Sequence, residues 1–69
     1  MDKPIIFVVY TKTSKSNAKK YLISLEGIHV DDILNENKRK PHLPYSYEIV
    51  HVGIGKGCEE LIKKKYKIN

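Results

Sequence analysis

The sequence predicts a single layered α/β domain, and three observations carry that prediction. Ile5-Ile6-Phe7-Val8-Val9-Tyr10 is a continuous, β-branched and aromatic run, as in a strand covered on both faces. Ala18, Tyr21, Leu22 and Leu25 recur at the i, i+3, i+4, i+7 spacing of one helical face. Cys58, Leu61, Ile62 and Tyr66 form a second helical stripe near the C-terminus. The 69 residues leave room for one core and no second module, so residues 1–69 are taken as one domain.

The elements follow in order. After the first strand, Thr11 to Ser16 is a polar break. Ser14 can cap the first helix and Gly27 can end it in a left-handed conformation. Ile28 to Leu34 is open to two readings. Ile28 and Val30 alternate as in a strand, whereas Asp31 can cap a short helix carrying Ile33 and Leu34. The strand is favoured, because helix–Gly–strand is an economical return. If that strand is parallel to the first, the crossover is right-handed. Asn35 to Leu43 is polar and basic with Pro41, a loop or a single helical turn. Tyr45 to Val52 is rich in β-forming residues. Gly53-Ile54-Gly55 then allows a short antiparallel partner or a bulge. Gly57 precedes the last helix, where Glu59/Lys63 and Glu60/Lys64 are favourable i, i+4 pairs. Early acids and late lysines also suit its dipole.

Composition narrows the function classes. The formal charge is +5, concentrated at Lys15/Lys19/Lys20, Lys38-Arg39-Lys40 and Lys63-Lys64-Lys65 with Lys67. A positive field favours acidic partners, nucleic acid included, although solvated helix faces carry such clusters too. A single cysteine, Cys58, excludes an intramolecular disulfide and fits a reducing compartment. The apolar run Pro4 to Tyr10 is too short to cross a bilayer, and it lacks the flanks of a signal peptide. A cytoplasmic protein with no membrane association is expected, as monomer or homodimer. His29, His42, His51 and Cys58 have no metal-ligand spacing. Gly53-Ile54-Gly55-Lys56-Gly57 lacks the spacing of a phosphate loop. Tyr45 and Tyr47 share a strand face, suited to packing or to stacking on a partner.

Tyr10-Thr11-Lys12, Leu25-Glu26-Gly27-Ile28, His42-Leu43-Pro44 and Gly57-Cys58-Glu59-Glu60-Leu61 occur in the order of another set of motifs. In this the chain resembles a glutaredoxin of the thioredoxin-like superfamily. The resemblance implies a minimal thioredoxin-like three-layer sandwich, β-α-β, short loop, β-β-α, with the second helix reduced to about residues 35–40. It also implies that Pro44 is cis. Lys15-Ser16-Asn17-Ala18 stands where the family's C-x-x-C stands.

Dithiol exchange needs a thiolate nucleophile and a resolving thiol, and neither lysine nor alanine supplies one. The expectation is therefore a glutaredoxin-like domain without a redox dithiol. It would act as a non-catalytic binding or regulatory module, with a protein as partner, through the former active-site face. By resemblance that face comprises Lys12, Lys15, Leu43, Pro44, Gly57, Cys58 and Glu59, and glutathione is its implied ligand. Lys12, Lys15 and first-turn N–H groups would hold a carboxylate or phosphate there. Two alternatives stand beside it: a basic protein binding nucleic acid or an acidic protein, and a redox protein using Cys58. A cysteine in a first helical turn meets unpaired N–H groups that favour thiolate, but cysteine is also a common small buried residue.

Overall fold

The computed structural model describes residues 4–68, and the elements run in the order β-β-α-α-β-α. Strand β1 (Ile5–Thr11) is the centre of an antiparallel sheet of order β2-β1-β3, between β2 (Tyr21–Glu26) and β3 (Glu48–Ile54). Val8 and Val9 point to opposite faces and are both fully buried. Burying each stabilises the fold by roughly 1.5–3 kcal/mol. The continuous apolar run is therefore a strand covered on both sides, as its sequence predicts.

On one face, Ile6 and Val8 form a core with Ile33 and Leu43, flanked by Ile23, Leu25, Ile28 and Val52. Ile33 comes from α1 (Val30–Leu34), which is followed directly by α2 (Glu36–Arg39). On the other face, Phe7 and Val9 pack with Ile62 of α3 (Cys58–Tyr66), and Leu22, Val50, Cys58 and Tyr66 lie around them. The mixed α/β class is as expected. The element order is not.

The largest correction concerns Tyr21 to Glu26, which forms β2 and not the second half of a helix. The helical spacing of Ala18, Tyr21, Leu22 and Leu25 coincides with a second pattern, the period-2 alternation of Tyr21, Ile23 and Leu25. Pairing with β1 in the register Tyr10↔Tyr21 to Ile5↔Glu26 satisfies an edge of β1 that a helix would leave open. Residues 12–20 become the hairpin loop, closed in part by Ala18 N–H donating to the Lys15 carbonyl at 3.0 Å. Gly27 does adopt the left-handed conformation, with φ 74°, but it follows a strand. The β-α-β opening that the resemblance implies is thus not formed, and no crossover joins β1 to β2.

The strand favoured for Ile28 to Leu34 is also corrected. Val30–Leu34 is helical, with Asp31 and Asp32 in its first turn, where the helix dipole favours them. Asn35 then starts α2: its Oδ1 accepts from the Asn37 and Lys38 amides at 3.0 and 3.3 Å. Arg39 donates to the Ile33 carbonyl at 3.0 Å and closes the end of α1.

Strand β3 runs straight through Gly53 and Ile54, so no second hairpin strand follows it among the described residues. Val9 pairs with His51 and Tyr10 with Ile49, leaving Val50 as the extra residue of a bulge. The bulge turns Ile49 to the Ile33 side while Val50 joins the α3 side. Gly53 permits close approach of α3, because a Cβ there would lie 2.9 Å from Ile62 Cδ1 and 3.0 Å from Cys58 Cβ. The α3 helix itself is where the sequence places it. No cis peptide occurs among the described residues, so Pro44 is trans and not cis.

Candidate anion-binding cleft

The sheet is wider than the helix that covers its second face. Helix α3 sits over β3 and β1, and beyond it the same face of β2 stays open. The uncovered strip is a cleft of about 680 Å³ between β2 and α3. Phe7, Leu22 and Ser24 form its floor, Ala18, Lys19 and Lys20 its rim on the β2 side, and Glu59, Lys63, Tyr66, Lys67 and Ile68 its α3 wall.

Register explains why the strip is open. On the Ile33 side β2 contributes Ile23 and Leu25, which need a cover. On the α3 side it contributes Leu22, Ser24 and Glu26, paired with Val9, Phe7 and Ile5. Two of those three residues are polar and tolerate water.

Among its described lining residues, the cleft has four lysines against one carboxylate, that of Glu59. Glu59 is already engaged by Lys63 at 3.5 Å. Lys19 and Lys67 are exposed, and Lys20 and Lys63 are half-buried. Lys67 holds a left-handed conformation at the end of α3, with φ 55°. Its amide and that of Ile68 both donate to the Lys63 carbonyl, a C-terminal capping arrangement that brings Ile68 back onto the core.

The residues expected to share one face do not come together. Lys12 and Lys15 lie in the hairpin loop beyond the C-terminal end of β1, both exposed. Lys12 Nζ sits 4.5 Å from the centroid of the Tyr21 ring, which stacks on Tyr10 at 5.6 Å. Pro44 is exposed near the same end, since the Tyr47 amide donates to the Thr11 carbonyl at 2.6 Å. Leu43 is a core residue beside Ile33, unavailable to a ligand. Gly57, Cys58 and Glu59 begin α3 at the opposite end of the sheet, where the Gly55 amide donates to the Ile5 carbonyl at 2.8 Å. A single β3 strand carries the chain from one end to the other, which separates the two halves of the expected site. Of those residues, only Glu59 lines the cleft.

Cys58 is half-buried against the Phe7–Val9–Ile62 core, and its thiol donates to the Ile54 carbonyl at 3.0 Å. That is the arrangement of a packed, hydrogen-bonded thiol. Among the described residues, no group of three His, Cys, Asp or Glu side chains is placed to hold a metal ion. No helix of the described residues is long and apolar enough to cross a membrane.

Sequence reasoning identified Lys19, Lys20, Lys63 and Lys67 as charge clusters but did not join them. The signal that joins them is the polar alternation of Ser24 and Glu26 against Ile23 and Leu25, which marks a strand with one wet face. Compared with known proteins, the chain matches no family model, no curated protein and no solved structure.

Proposed function

We propose that the protein is a non-catalytic binding module for an anionic partner, held in the cleft between β2 and α3. One observation carries this reading. Lysines far apart in sequence, Lys20 in the hairpin loop, Lys63 on α3 and Lys67 at its C-cap, line one groove, and Lys19 stands at its rim with Nζ 5.4 Å from the Tyr21 ring centroid. Like charges gathered around one groove set up a positive field, and their mutual repulsion is relieved when an anion enters. The proposed surface is the cleft and not the Lys12–Pro44–Cys58 face. Glutathione, itself an anionic peptide, is a ligand to try alongside larger anions.

The test is titration with inorganic polyphosphate over a range of salt. Affinity should fall as salt rises, with a log–log slope no steeper than about −3, as expected when up to four lysines release counterions. Lys20→Glu with Lys67→Glu should weaken binding about ten-fold or more, two cleft charges having been reversed. Binding that ignores both salt and the double substitution, or no binding at low salt, would overturn the reading.

A further inference from the structure

The cleft runs beside an open strand edge. Among the described residues, strand β2 is terminal in the sheet and pairs with β1 alone. Backbone N–H and C=O groups along such an edge are ready to pair with an added strand. The two edges of this sheet differ in how they are protected. The β3 edge is interrupted by the bulge at Val50, and both α1 and α3 lie against that strand. The β2 edge has no bulge and no proline, and its pairing with β1 is regular over all six residues. Of its residues, only Glu26 is charged.

An added strand would place every second side chain on the face of Leu22 and Ser24. Those side chains would stand over the cleft, within reach of Lys20 on the near side and of Lys63 and Lys67 across it. We propose that this edge and its cleft together take an extended acidic polypeptide segment: main-chain pairing to β2 supplies the register, and carboxylates on alternate residues meet the lysines. The proposal rests on the cleft being an anion site and adds the class and conformation of the ligand. A second copy of this chain is a poorer occupant, because it would bring one lysine-lined cleft against another on a chain of net charge +5.

The experiment uses the full chain and a peptide of alternating glutamate and threonine. Two derivatives carry backbone N-methyl groups, one on the glutamates and one on the threonines, and a third replaces glutamate by glutamine. If strand addition holds, one N-methyl pattern weakens binding about ten-fold or more while the other binds nearly as well, because only alternate amides face the edge. Hydrogen exchange should show new protection at alternate β2 amides, and the glutamine peptide should bind at least about five-fold more weakly. Equal effects of the two patterns with no β2 protection overturn strand addition. Equal binding of the glutamine peptide overturns the acidic preference. Polyphosphate binding that survives either result leaves the cleft as an anion site, whereas failure of polyphosphate and peptides alike removes both readings.

Discussion

The two faces of the sheet begin from the same strand and end differently. Ile6 and Val8 look onto Ile33 and Leu43, with side chains from all three strands closed around them. Phe7 and Val9 look onto Ile62, but there β2 offers Ser24 and Glu26 where the other face has Ile23 and Leu25. Helix cover follows apolar density. Where a strand presents polar residues, no burial free energy is available to hold a helix over it, and the strip stays open. Both faces hold a buried cluster, and the half-open one also leaves a strip where a ligand can enter.

Truncation on the closed face should have the largest effect. Ile33 is fully buried, so Ile33→Ala should cost roughly 2–5 kcal/mol. A domain of this size has little more to lose, and the denaturation midpoint should fall far or the chain should unfold. Ser24→Ala on the open face should stay within about 0.5 kcal/mol of the parent, as surface substitutions do. Equal losses at the two positions, measured in urea, would erase the distinction between the faces.

The junction of α3 with the sheet gives the next largest effect. Gly53→Ala places a methyl group 2.9 Å from Ile62 Cδ1 and 3.0 Å from Cys58 Cβ, both held in the core. Such overpacking costs roughly 1–3 kcal/mol. Ile62→Val removes the Cδ1 atom, so the double variant should lose less than the sum of the singles, with a coupling of about 0.5–1 kcal/mol. Strict additivity would mean that α3 does not sit against Gly53. Because α3 forms one wall of the cleft, Gly53→Ala should also weaken polyphosphate binding.

The same comparison shows what could be read from the sequence. β1 and α3 were legible because each carries its own signal: an unbroken β-branched run, and a helix whose acids precede its lysines, with Glu59–Lys63 formed as expected. Leu22 to Leu25 was not legible, because it satisfies helical and strand periodicities at once. The choice fell to a non-local term, the open edge of β1, which no window around Leu22 contains. At Ile28 to Leu34 the short helix with Asp31 in its first turn was one of two visible options, and the less favoured one formed. The expected site failed for a related reason. Lys12 and Cys58 meet only if the chain reverses once more after Gly53, and β3 does not reverse. The cleft lysines were visible as charges, but their convergence depends on β2 being a strand.

Lys67 separates stability from binding on the open face. It holds φ 55°, a conformation that costs a non-glycine residue about 1 kcal/mol and costs glycine little. Lys67→Gly should therefore raise stability by about 0.5–1 kcal/mol, net of the extra freedom glycine gives the unfolded chain. It also removes one cleft ammonium, so polyphosphate affinity should fall about three-fold, the value of one exposed charge. Higher stability with weaker binding is the expected signature. A fall in both would show that the Lys67 side chain holds the fold, and a rise in both would take it out of the site.

The smallest effect tests the sign of the cleft. Glu59 is the carboxylate among its described lining residues, and it occupies Lys63 at 3.5 Å with both side chains partly exposed. Pairs of this kind contribute less than about 0.5 kcal/mol, so Glu59→Gln should barely move the unfolding midpoint. It should, however, free the Lys63 ammonium and remove a repelling charge, tightening polyphosphate binding about two- to three-fold at low salt, with the gain fading as salt screens it. A neutral substitution that improves binding without changing stability is hard to obtain by disturbing structure. Glu60, on the same helix and absent from the described lining, is the matched control, because Glu60→Gln changes net charge equally. If both variants tighten binding to the same extent, the whole molecule's charge attracts the anion and the cleft has no special part in it. A gain confined to Glu59→Gln places the anion between β2 and α3.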